Sequence, residues 1–175
     1  LILPGADGAI KEQRALVRRR LMAGAVLLMT FPGSPTLYYG DEAGMEGFED
    51  PFNRRTFPWG KEDGELLAWF AALGELRRTL PALRRGDIRY LLARGPLLAF
   101  LRTWGGEGVV CALNAGEEEA VLPLGLGGTA EPLLGPGALS RGEDGAITVA
   151  LPPRSGCALR WAPERPEEAP AGAEK

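Results

Sequence analysis

Leu97-Leu98-Ala99-Phe100-Leu101-Arg102-Thr103-Trp104-Gly105-Gly106-Glu107-Gly108-Val109-Val110-Cys111-Ala112-Leu113-Asn114 holds two apolar runs separated by a Gly-Gly turn signal. Similar short runs lie on either side: Ile88 to Leu92, Ala120 to Leu124, Ile147 to Leu151 and Cys157 to Trp161. Between them stand Gly95-Pro96, Gly116, Gly127-Gly128, Gly135-Pro136-Gly137, Asp144-Gly145 and Pro152-Pro153. Closely spaced strands punctuated by turn residues predict an antiparallel β-sandwich over residues 86–161. Val109, Cys111 and Leu113 share one face of their run, as Cys157, Leu159 and Trp161 do of theirs. Both cysteines therefore read as small buried hydrophobes, with a disulfide between them as the alternative.

Upstream of Gly86 the period is 3.6 rather than 2. Leu66, Trp69, Phe70, Leu73, Leu76 and Leu80 recur at spacings of three and four, which predicts a helix from Glu65 that Pro81 ends. A longer helix is expected from about Ile10 to Thr30, with Asp7 as its N-cap. It begins amphipathic and turns apolar on all sides through Ala25, Val26, Leu27, Leu28 and Met29, the pattern of a helix buried all round. Phe31-Pro32-Gly33-Ser34-Pro35 breaks it. Thr36 to Tyr39 then reads as a short strand buried on both faces, giving one helix–turn–strand unit of an α/β fold. In a chain with a single such strand, the apolar faces of the two helices have nothing to cover. Residues 162–175, rich in proline and charge, read as a solvated, disordered tail.

Composition narrows the functions open to the chain. Of 175 residues, 20 are Lys or Arg and 23 Asp or Glu, so the net charge of -3 gives no reason to expect a nucleic-acid partner. The longest apolar stretch, Leu21 to Met29, falls well short of the roughly 20 residues that cross a bilayer, so no membrane span is expected. There is no histidine, which excludes imidazole acid–base chemistry, His-dependent nucleophiles and imidazole metal ligation. Chemistry here has to rest on carboxylates.

The carboxylates concentrate in one place. Gly40 to Gly64 lacks any period and carries Asp41, Glu42, Glu46, Glu49 and Asp50, followed by Arg54 and Arg55. Loops of this length in compact folds are functional or disordered, and Phe48, Phe52, Phe57 and Trp59 argue for order. Asp41 and Glu42 are adjacent, so a strand would aim them to opposite faces rather than across one glycosidic bond. A calcium site is a second reading, without the alternating ligand pattern of a calcium loop. A third is a clamp for hydroxyl-rich ligands in which Asp50 accepts and Arg54 donates through its planar fork. Against it stands a plain Asp50–Arg54 ion pair that only holds the loop.

Gly33-Ser34-Pro35-Thr36-Leu37-Tyr38-Tyr39-Gly40-Asp41-Glu42, then Gly44-Met45-Glu46-Gly47 and Asp50-Pro51-Phe52-Asn53-Arg54-Arg55-Thr56-Phe57-Pro58-Trp59, closely resembles the end of the catalytic barrel in the α-amylase superfamily of glycoside hydrolases. The nearest likeness is to its amylopullulanase, neopullulanase and α-glycosidase branch. The resemblance implies an α/β plus all-β chain: terminal elements of a (β/α)8 TIM barrel over residues 1–85 (helix 7, strand 8, substrate loop, helix 8), then a C-terminal β-sandwich. It implies a retaining hydrolase of α-glucosidic bonds in starch-like glucans that needs no organic cofactor, with an α-glucan oligosaccharide and the N-terminal barrel portion as partners. It assigns substrate binding to Asp50 and Arg54, which match the Asp-Pro-x-Asn-Arg motif, and loop shaping to Asn53, Arg55 and Trp59; stacking of Trp59 or Phe57 on a sugar face is the sharper reading. The three catalytic carboxylates of the family precede this motif and none can be assigned here, so the chain alone is expected to be inactive. The competing expectation is a non-catalytic sandwich, acting as scaffold or carbohydrate-binding module.

Overall fold

The computed structural model of the chain describes residues 6–47 and 49–164. Three helices come first: α1 (Ala6–Thr30), α2 (Gly64–Thr79) and α3 (Pro81–Arg85). Asp7 lies inside α1, not ahead of it as an N-cap. Alanine carries the helix one residue further back, and the positive end of the helix dipole also favours an acid within the first turn. Helix α2 is capped by Asp63, whose Oδ1 accepts from the amides of Glu65 and Leu66, both at 3.1 Å. Pro81 ends α2 as expected and also opens α3, because its fixed φ and missing N–H suit the first helical position.

Thr36 to Tyr39 belongs to no strand. A strand exists only by hydrogen bonding to a neighbour, and no other described segment runs beside this one. The eight strands all come later: β1 (Asp87–Arg94), β2 (Leu97–Trp104), β3 (Glu107–Asn114), β4 (Ala120–Pro123), β5 (Thr129–Leu134), β6 (Ala138–Arg141), β7 (Ile147–Leu151) and β8 (Ser155–Ala162). They form a five-stranded sheet in the order β1-β2-β3-β8-β5 and a three-stranded sheet in the order β4-β7-β6. Every pairing is antiparallel. Two strands, β5 and β6, escape the sequence pattern for a physical reason. Neither holds a fully buried residue, so neither needs an apolar run; β5 carries Pro132, which its edge position tolerates, and β6 has four residues. The expected tail begins inside β8, which Ala162 closes; beyond Glu164 it lies outside the described residues.

The two sheets share one core. Ala99 and Leu101 of β2, Val110 and Ala112 of β3, and Cys157 and Leu159 of β8 pack against Leu122, Val149 and Leu151 of the smaller sheet. The intervening residues of β2 and β3 are buried as well, against the helices. Phe100, Val109 and Cys111 meet Ala82 and Leu83 of α3, and Leu113 meets Ala25, Val26 and Met29 of α1 with Phe70 and Leu73 of α2. The central strand β3 is thus covered on both faces, which is why it reads Val-Val-Cys-Ala-Leu rather than alternating with polar residues. Full burial of a Leu or Val side chain is worth about 2 kcal/mol. Helices α1 and α2 therefore do have something to cover: they roof the outer face of the larger sheet.

Cys111 and Cys157 fall on opposite faces of that sheet, paired across the ladder with Ala158 and Ala112 respectively. Both are free thiols, so the disulfide alternative is excluded by direction.

Two guanidinium groups fasten the roof. Arg102, on β2, is 1% exposed and donates to the carbonyl oxygens of Thr30 (2.6 Å) and Gly86 (2.8 Å). Arg77, in the last turn of α2, donates to Met29 (2.7 Å), Phe31 (3.3 Å) and Gly33. The last carbonyls of α1 lack partners within the helix and carry its negative dipole end, so arginines satisfy both needs. Phe31 packs edge-on against Phe100, with ring centres 5.8 Å apart.

Candidate functional site

The loop between α1 and α2 is set by a few local contacts. Gly40 has φ +93°, and a Cβ there would lie 2.7 Å from the Met45 side chain, so only glycine turns the chain at this point. Glu42 folds back to accept from the Gly40 amide at 3.0 Å. Asp41 has its pKa raised by burial and, after that, by the Glu42 charge. One carboxylate is thus spent on the turn, and the adjacent pair does not flank a common bond. At the other end, the Asp63 amide donates to the Ala43 carbonyl at 3.0 Å and closes the loop's base. Arg18 of α1 pairs with both Asp63 and Glu65, and Arg14 with Glu46 at 3.0 Å. The loop is therefore held to both helices.

Asp50 and Arg54 come together as a two-pronged pair, Nε to Oδ1 at 2.7 Å and Nη2 to Oδ2 at 3.3 Å. Their side chains keep 58% and 68% of their surface exposed. An exposed ion pair of this kind contributes at most about 1 kcal/mol to stability. With both side chains more than half exposed, the pair keeps donor and acceptor capacity open to water, a combination that matches vicinal hydroxyls. Tyr39 lies close by: its hydroxyl donates to the Arg55 carbonyl at 2.9 Å. Its pKa is raised by burial and by Tyr38, while the Arg54 charge works in the opposite direction. Asn53 packs against Gly47.

The same loop forms a groove lined by Gly44, Met45, Glu46, Thr56, Phe57 and Trp59 among others. Trp59 is 81% exposed, and its ring meets Phe57 at 4.6 Å with the planes tilted by 51°. Among the described residues no three acidic or sulfur side chains converge as metal ligands. Burial pushes both thiols, Cys111 and Cys157, up to about 12, which removes them as nucleophiles at neutral pH. No described helix is long and apolar enough to cross a membrane.

No protein-family model matches the chain. Similar proteins are nonetheless plain. The chain is 47% identical over 87 residues to an amylopullulanase of Thermoanaerobacter thermohydrosulfuricus, covering 50% of this chain and 6% of that protein. It is 36% identical over 139 residues to neopullulanase 2 of Thermoactinomyces vulgaris, covering 75% of this chain and 24% of that one. Among solved structures, the Nostoc punctiforme debranching enzyme superposes with a TM-score of 0.74 at 39% identity, over 81% of this chain and 31% of that one. The chain thus spans under a third of the length of each. These are glycoside hydrolases of the α-amylase superfamily, and the chain is their homologue. Within the superfamily its relatives are amylopullulanase, cyclomaltodextrinase and neopullulanase, and it corresponds to the C-terminal portion of such proteins.

Proposed function

We propose that the chain is the C-terminal part of a retaining glycoside hydrolase acting on α-glucosidic bonds of starch-like glucans. On this reading residues 1–85 are the end of a catalytic (β/α)8 barrel and residues 86–161 its C-terminal β-sandwich. Asp50 and Arg54 then hold a glucose unit through paired hydrogen bonds. The nucleophile and the acid/base carboxylates belong to the N-terminal barrel portion, and no organic cofactor takes part.

The observation that carries this reading is the Asp50–Arg54 fork, presented to solvent on a loop held firmly at both ends. Two further features support it. Leu28, Leu37, Tyr38 and Tyr39 are exposed around the segment that was expected to be a strand, an apolar strip suited to neighbouring barrel elements. The bond from Arg102 to Thr30 ties helix to sheet, which favours an integral part of an enzyme over a free-standing binding module.

The test is titration of the chain with maltoheptaose. Arg54→Ala or Asp50→Asn should weaken binding at least tenfold, as expected when a charged hydrogen bond worth roughly 1.5–3 kcal/mol is lost. The same samples should release no reducing sugar from starch. Unaltered affinity in both variants would reduce the pair to a loop fastener, and turnover by the purified chain would overturn the assignment of the catalytic carboxylates elsewhere.

A further inference from the structure

The groove on the loop that carries the Asp50–Arg54 pair has a chemistry of its own. An exposed indole is apolar surface left in water, yet the loop is ordered enough to hold Trp59 against Phe57. The indole N–H groups of Trp69 and Trp161 are used internally, on the carbonyls of Met22 (3.0 Å) and Gly127 (2.9 Å). Among the described residues nothing accepts a hydrogen bond from the Trp59 indole N–H. The ring thus offers a bare face and an unspent donor together. Around it in the groove stand the Thr56 hydroxyl, the Lys61 ammonium and the Glu46 carboxylate, so the lining alternates apolar rings with hydrogen-bonding groups.

We propose that Trp59, backed by Phe57, is a stacking platform for a glucose unit of an α-glucan, with Thr56 and Lys61 meeting the hydroxyls at the ring's edge. A pyranose has an apolar C–H face and a polar rim, and the groove presents the complement of each. A protein partner would call for a wider apolar surface; a nucleic acid would call for a run of cations, and here Arg55 and Lys61 share the groove with Glu46 in a chain whose net charge is -3. This inference rests on the reading of the chain as part of an α-glucan hydrolase, and it extends the bound oligosaccharide past the Asp50–Arg54 pair along the same loop.

The two proposals can fail separately. In the intact chain the four tryptophan indole N–H signals can be followed by NMR during titration with maltoheptaose, Trp59→Phe identifying its signal. The Arg54 side-chain N–H signal reports on the clamp. The expected result is a saturable shift of the Trp59 signal with that of Trp104, also exposed but at the β2–β3 turn, standing still. Trp59→Ala should weaken binding at least tenfold, and Trp59→Phe less. A moving Arg54 signal with a silent Trp59 signal overturns the platform and leaves the clamp. A moving Trp59 signal with a silent Arg54 signal does the reverse. An equal response to a β-linked glucan of the same length overturns the assignment to α-glucans. Shifts of Trp59 that follow protein concentration without sugar mark a self-association surface, and overturn the platform too.

Discussion

Arg102 shows how much one side chain can decide. A guanidinium buried in a sheet without a carboxylate beside it is costly unless its donors are used, and here two of them reach the carbonyls of Thr30 and Gly86. Burial lowers its pKa, with the neighbouring Arg77 adding to the effect and Cys111 and Asp87 opposing it. An arginine starts high enough to stay charged throughout the neutral range. Arg102→Met should strand both carbonyls and lower stability by about 3 kcal/mol, read as a fall in the urea midpoint. Arg102→Lys, with a single donor head, should recover part of the loss; a midpoint unmoved in both variants would mean that water replaces the bonds freely. The role was not legible in the sequence, where an arginine in a strand is ordinarily taken as solvent-facing. One signal was there: Phe100, two residues earlier, shares its face, and a face that buries a phenylalanine has a cover. The Asp50–Arg54 ion pair was legible from the two opposite charges in one loop, whereas the exposure of Trp59 could come only from the fold.

Among the elements, α2 was read nearly to the residue, because its apolar positions hold a steady period over four turns. Its start was set by a residue that periodicity does not register. Asp63 accepts from two amides of the first turn and receives Arg18 from α1, so a single carboxylate caps one helix and fixes the other against it. Burial alone would raise its pKa, but the amides of Leu66 and Glu65 and the Arg18 guanidinium outweigh this, and the net shift is downward. A carboxyl depressed in the folded state adds stability above its unfolded pKa, near 3.9, and loses it as pH falls through the lower folded value. Asp63→Ala should therefore cost about 1–2 kcal/mol at neutral pH and almost nothing at the most acid end. Urea midpoints measured for both proteins from pH 7 downward should converge; a constant gap would mean that the cap acts by packing rather than by charge. The strands divide by the same logic. Those lining the shared core, β2, β3, β7 and β8, carry the apolar runs that reveal them. β5 and β6 lack that signal: neither has a fully buried residue, β5 is interrupted by Pro132, and β6 is four residues long.

For the whole molecule the question is whether the change of period at Gly86 is also a seam in the fold. The sequence suggests a seam, with a sandwich able to stand alone and helices left without cover, so that a protease would spare a fragment beginning there. The packing argues otherwise. Gly86 is no linker: a Cβ at this position would lie 2.4 Å from the Ala82 carbonyl oxygen and 2.6 Å from that of Thr103, so α3 and β2 press on it from both sides. Its own carbonyl is held by Arg102, and Leu83, Val26 and Leu73 on the helical side are as fully buried as Phe100 on the sheet side. The more open stretch lies earlier, in the middle of the loop between α1 and α2, whose ends are held while Arg54 and Arg55 stand among exposed residues with few backbone bonds to the rest. Regions of that kind open locally at low cost, while those sharing a core open together. Brief trypsin treatment should thus cut first at Arg54 or Arg55, and the two pieces should stay associated on gel filtration under native conditions. Thermal unfolding of the uncut chain should follow one transition by both far-ultraviolet circular dichroism and tryptophan fluorescence. A lone survivor beginning near Gly86, with the helices digested away, would show that the roof over the sheet is too weakly held to count as part of the same folding unit. In that case the buried arginine, for all its bonds, would mark a docking contact between two units and not the interior of one.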